Sequence, residues 1–250
     1  MQPIAVSRVI ANASRVLASN FFIALFISMV AGGLGFLVTD SVSAAVAPKF
    51  GLSGQGLLVA STLFQSLLLC IWAGTVGAWA APAQIYLWVQ EEKKQVASLG
   101  GAINYGLNRA SRVALPHFMA YSLVVIGNIV IVPGIIFGLM FAFVDGIATL
   151  DPQERSVLGR SSRLTSSRRG SIFRVMLVAF AGWWLWFQLG LVFFVPTMPL
   201  WQKFGVGTID HLVLVWIDLC MVQFYLDMFR KPAATPASAD AAAELRAPGT

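Results

Sequence analysis

The stretch from Val113 to Val144 contains no Asp, Glu, Lys or Arg. A transmembrane helix needs about 20 predominantly apolar residues to cross a hydrocarbon core about 30 Å thick. This run is too long for one crossing, and Val132-Pro133-Gly134 interrupts it. Pro followed by Gly is a type II turn signal, so the sequence predicts two short helices joined by a tight turn. The same window places a span from Phe21 to Val38, another from Ile172 to Val195 and another from Ile209 to Phe229. Leu57 to Val89 is also too long for one straight crossing. Pro82 is the expected break, leaving Tyr86 and Trp88 near the headgroups.

Composition agrees. Only 11% of the chain is charged and 58% is hydrophobic, with a mean hydropathy of +0.77. A soluble domain carries about 25% charge. The expected fold is therefore all-α and integral to a membrane: a six-transmembrane helical bundle over residues 1–231. Residues 232–250 are rich in Ala and Pro without apolar periodicity, which predicts a disordered cytoplasmic tail.

The basic residues set the expected direction. Arg8 and Arg15 precede the first span; Lys93, Lys94, Arg109 and Arg112 lie between the second and third. Arg155, Arg160, Arg163, Arg168, Arg169 and Arg174 lie between the fourth and fifth, and Arg230, Lys231 and Arg246 follow the sixth. Of the 17 Lys and Arg residues, only Lys49 and Lys203 fall on the other side. Basic loops stay in the cytoplasm, which puts both termini there. The formal charge of +6 is thus a topology signal. It speaks for anionic headgroups and against nucleic acid as a partner. Ala45-Val46-Ala47 resembles a small-residue cleavage site, but the apolar run before it is long and Pro48 would follow the cut, so retention is expected.

A similar phrase precedes each odd-numbered span: Asn12-Ala13-Ser14-Arg15-Val16-Leu17, then Arg109-Ala110-Ser111-Arg112-Val113-Ala114-Leu115, then Arg160-Ser161-Ser162-Arg163-Leu164-Thr165. Each reads as a short amphipathic cytoplasmic helix feeding a hairpin. The outer loops echo each other as Lys49-Phe50-Gly51-Leu52 and Lys203-Phe204-Gly205-Val206. Together these suggest three degenerate helix-plus-hairpin units.

Val132-Pro133-Gly134-Ile135-Ile136, a helix, and then Arg160-Ser161-Ser162-Arg163-Leu164-Thr165 resemble the YciC-type family of uncharacterised bacterial inner-membrane proteins. A related membrane domain is fused to some glycerophosphodiester phosphodiesterases. The likeness covers roughly Ile129 to Val178. Members often have Gly after the Leu-Thr, where this chain has Ser166. The resemblance implies a six-helix inner-membrane bundle and no catalytic residues.

No Gly-rich phosphate loop, His-Glu-x-x-His or nucleophile elbow is present. His117 and His211 are assigned to opposite membrane faces, so the chain is expected not to be an enzyme. Cys70 and Cys220 lack metal-ligand spacing, and no metal or cofactor is expected. Asp218 falls mid-span, and an intramembrane carboxylate is a site hypothesis by default. It reads either as a protonated group hydrogen-bonded to Asn128 or Gln188, or as a proton- or ion-handling residue. Asp145 is expected to pair with the Arg-rich loop, and Asp227 with Arg230 and Lys231. Arg160, Arg163, Arg168, Arg169 and Arg174 form the expected docking segment for anionic lipid or a protein partner. Ala31, Gly32, Gly33 and Gly35, with Ala73, Gly74, Gly77 and Ala78, are small residues expected to let helices approach within the bundle. Trp183, Trp184 and Trp186 lie deeper than an interfacial belt and are expected to fill space between helices.

The leading reading is a non-enzymatic membrane scaffold or accessory subunit. A small transporter or channel subunit using Asp218 is the alternative, and a lipid-handling membrane enzyme the weaker one. Reporter fusions after Glu92, after Gly159 and at Thr250 are expected to read cytoplasmic, and fusions at Gly51 and Gly205 periplasmic; an external reading at Gly159 would remove the helical hairpin.

Overall fold

The computed structural model describes residues 5–51, 54–128, 132–178, 181 and 199–229. Among these residues the regular structure is entirely helical. Five helical segments are long and apolar enough to cross a membrane: Phe21–Phe50, Gly54–Glu92, Leu99–Gly127, Val132–Leu150 and Leu200–Met228. The expected span from Ile172 to Val195 lies largely outside the described residues, as do Trp183, Trp184, Trp186 and the tail.

Helix α1, Val6–Ser19, is amphipathic. Val9, Ala13 and Val16 recur at helical spacing and are fully buried, while Arg8 and Arg15 on the other side are exposed. The buried face packs on α11, Leu200–Phe229, where Trp216 Nε1 donates to Ser14 Oγ at 3.0 Å. The first span then comprises α2 (Phe21–Ser28), a π-helical segment (Met29–Leu34) and α3 (Gly35–Val46). The second comprises α4 (Gly54–Trp72), a π-helical segment (Ala73–Gly77) and α5 (Ala78–Glu92).

Pro82 does not end the second span, contrary to expectation; α5 runs straight through it. The irregularity falls one turn earlier, ending just before Ala78, the residue whose carbonyl Pro82 cannot pair with. The lipid-facing side of α4 is legible from exposure: Val59, Leu63, Leu67 and Ile71 all stand exposed at intervals of one turn.

Helix α6, Leu99–Asn128, absorbs both the second amphipathic phrase and the third span in one 30-residue helix that continues through Pro116. The first and third phrases do form short helices, α1 and α9 (Val157–Ser166), so the three expected units are not laid out alike. The outer-loop echo also separates. Gly51 turns the chain with φ 67°, whereas Lys203 to Val206 lie inside α11. Lys203 Nζ pairs there with Asp40 of α3 at 2.7 Å.

The hairpin between α6 and α7 (Val132–Phe141) is present, but Pro133 and Gly134 occupy the first turn of α7 rather than a separate turn. A Cβ on Gly127 would stand 2.7 Å from the Gly134 nitrogen, so the two helices meet where neither carries a side chain. Helix α8, Val144–Leu150, follows a break at Ala142 and Phe143; α9 and α10 (169–178) come next.

The small-residue segments pack within the bundle, as expected. A Cβ on Gly32 would overlap the Gly207 carbonyl oxygen of α11, and one on Gly33 would meet the Phe204 ring. Backbone cannot yield as a flexible side chain can. Gly32→Val is expected to destabilise the bundle by about 1–3 kcal/mol, the usual cost of overpacking. Gly205→Ala, with nothing within 4 Å, should be nearly neutral; thermal unfolding in detergent compares them.

Candidate functional site

Helix α6 presents His117 and, one turn on, Tyr121, whose rings stack with centroids 6.4 Å apart. Asp145 sits in the first turn of α8. His117 Nδ1 and Asp145 Oδ1 are 2.7 Å apart. Asp145 therefore pairs with a histidine inside the bundle, not with the Arg-rich loop. The correction has a physical reason. The break at 142–143 re-aims the chain just before Asp145, and a hydropathy window cannot register a break without Gly, Pro or charge.

Asp218 reaches the same place from α11. The Asn128 side chain and Gln188, its expected partners, lie outside the described residues. Among the described residues, Asp218 shares the lining of one cavity with Asp145 and His117. Asp145 and Asp218 also share the lining of a small void of about 10 Å³. That is about the space of one water molecule.

His211 lies two helical turns before Asp218, on the same face of α11. Its Nδ1 is 3.3 Å from Ser28 Oγ of α2. His117 and His211 thus line one cavity rather than opposite membrane faces. Their helices extend well beyond the apolar windows, so neither histidine is at a helix end: α6 begins at Leu99 and α11 at Leu200. Among the described residues, His117 has a carboxylate and His211 a hydroxyl, and neither has both.

The cavity measures about 620 Å³ and is bordered by both π-helical segments. Small-molecule sites occupy about 300–1,000 Å³. Gly77, in the second π segment, leaves room for His117: a Cβ there would come 3.0 Å from Nε2. Gln84 of α5 also lines the cavity, and its Oε1 is buried without a hydrogen-bond partner among the described residues. No group of three or more His, Cys, Asp or Glu suited to a metal ion occurs among the described residues.

The phrase Arg160-Ser161-Ser162-Arg163-Leu164-Thr165 closes the break beside Asp145. Ser161 Oγ accepts from the Phe143 N–H at 3.2 Å and donates to the Met140 carbonyl at 2.9 Å. Thr165 Oγ1 also reaches the Met140 carbonyl, at 3.4 Å. Both side chains are fully buried. Arg160 binds Asp151 and, at 3.1 Å, Glu154. The Ser156 N–H, followed by Arg160, holds the Glu154 carboxyl below its ordinary range. That contact is in place at neutral pH and is lost only as pH falls through the lowered value. Burial works against the Arg160 charge, but Glu154 and Asp151 outweigh it and raise its pKa.

Arg163, Arg169 and Arg174 remain exposed. Asp227 accepts from Gln223 Nε2 at 2.5 Å; Arg230 and Lys231 lie outside the described residues. Asp218 and the Arg-rich phrase carried sequence signals. The His117–Asp145 pair and Gln84 did not, since nothing in the sequence marks partners 28 positions apart.

No protein family, curated protein or solved structure matches the chain.

Ser161→Ala would strand the buried Phe143 N–H and leave the Met140 carbonyl with only the longer bond from Thr165, at an expected cost of about 1–3 kcal/mol. Ser166→Ala, on the exposed side of α9, should stay within about 0.5 kcal/mol. Thermal unfolding in detergent separates the two; equal effects would show that Ser161 does not secure the break.

Proposed function

We propose that the chain is a six-span bacterial inner-membrane protein that binds a small solute in this cavity and moves it across the bilayer, with His117, Asp145 and Asp218 as its proton- or ion-handling groups. The observation that carries this reading is their convergence. Three ionisable residues from three apolar helices meet beside one cavity of about 620 Å³. Ionisable groups inside membranes are costly and mark solute pathways and proton relays. An interrupted helix beside a polar site is a recurring feature of transporters, and the α7–α8 break next to Asp145 matches it. A relay needs more than one titratable site, and Asp218 has a second carboxylate and an imidazole in the same lining.

The proposed orientation keeps both termini in the cytoplasm. Arg15 pairs with Glu91 at 3.6 Å, and Arg112 bonds the Asp151 carbonyl, joining segments that the basic loops assign to one side. Asp40 and Lys203 pair at the ends assigned to the other. The likeness to the YciC-type family is consistent with this architecture and names no solute.

A scaffold role keeps one supporting observation. Arg163, Arg169 and Arg174 are exposed and available to anionic lipid or a protein partner. Arg160 is already engaged by Asp151 and Glu154.

Asp218→Asn keeps the shape and removes the titratable proton. In a deletion strain it is expected to accumulate normally yet lose roughly a hundredfold or more of solute flux, the low end for a positioned proton-transfer group. Full rescue of the deletion phenotype by this variant would sink the transport reading.

A further inference from the structure

The described lining of the cavity contains Asp145, Asp210 and Asp218 and neither Lys nor Arg. Gln84 is almost completely buried, and its Oε1 has no hydrogen-bond partner among the described residues. A bare amide oxygen is an acceptor awaiting a donor. Trp72 and Tyr121 add ring surface to the same walls. Carboxylates, an unmatched acceptor and aromatic faces are three independent features that favour one ligand chemistry. Each attracts an ammonium group, and the first two repel or fail to satisfy an anion.

Resting on the proposed transport role of this cavity, we infer that its substrate is an organic amine bound in the protonated form. The ammonium group lies toward Asp145 and Asp218, and the apolar body lies along the aromatic walls. The cavity volume admits an amine with a bulky hydrocarbon body.

Three rigid probes of one shape test the charge directly: 1-adamantylamine, 1-adamantanol and adamantane-1-carboxylate. Equilibrium dialysis at pH 7 against the purified full chain, with empty micelles as the blank, reads each affinity. The amine is expected to bind at least about tenfold tighter than the alcohol, as for one charge-assisted hydrogen bond, and the carboxylate weakest. Asp218→Asn should reduce that preference. The probe comparison on the unaltered protein stands even if the variant misfolds. Equal or tighter binding of the alcohol or carboxylate would overturn the inference, as would no retention of the amine above the blank. The two proposals fail separately. An amine preference with full rescue by Asp218→Asn removes transport and keeps the cation site. Preference for another probe with loss of rescue removes the cation and keeps transport.

Discussion

Inside hydrocarbon, no water can take up a backbone group that leaves the helical ladder, so every irregularity must be closed by protein. The described bundle has three such places within its spans, and each is closed locally. At the π segment Met29–Leu34, Trp72 Nε1 of α4 donates to the Ala31 carbonyl at 2.7 Å. At Ala73–Gly77, the Thr75 hydroxyl donates to the Ile71 carbonyl at 2.9 Å, just before the widened turn. At the α7–α8 break, Ser161 serves both a donor and an acceptor. Gly35 belongs to the first arrangement, because a Cβ there would stand 2.5 Å from Trp72 Nε1.

These closures shape the cavity. Both π segments contribute to its walls, and the break delivers Asp145 to His117 in the first turn of α8. Regular helices of the same sequence would carry the polar residues past one another in different registers. A π turn adds a residue without adding a full turn, so side chains beyond it rotate relative to those before it. His117 fits because Gly77 lies in such a turn. The polar site and the distorted backbone are thus one construction, and π segments are frequent where a site must be built.

The helical membrane fold was legible because it rests on long-range composition: charge-free runs, basic loops and small-residue stretches survive averaging over a window. Asp218 was legible because a carboxylate inside an apolar run stands alone. Pro82 misled because proline was read as a break, while a membrane helix can re-satisfy the freed carbonyl and continue. Asp145 misled because it closes a charge-free run and so looks like a helix end. Its partner His117 lies on another helix, and pairing across helices depends on rotation about each axis, which hydropathy does not encode. The two histidines were separated for the same reason: apolar windows mark where lipid contact begins, not where a helix begins.

The Arg160–Thr165 phrase shows how one segment can satisfy two constraints. Its arginines obey the charge asymmetry expected of a cytoplasmic loop, and its hydroxyls secure a break inside a span. The helical period separates the two tasks. Ser161 and Thr165, four apart, face inward, while Arg163, between them, faces out. Arg160 stands at the boundary, held by Asp151 and Glu154, with Asp151 also offering its carbonyl to Arg112 of α6. An anionic headgroup at Arg160 would have to displace two carboxylates already in contact. At Arg163 and Arg169 it would displace only solvent among the described contacts. The proposed attraction of lipid or a partner to this face would therefore fall on the outward arginines, while the inward half of the phrase closes the break beside Asp145.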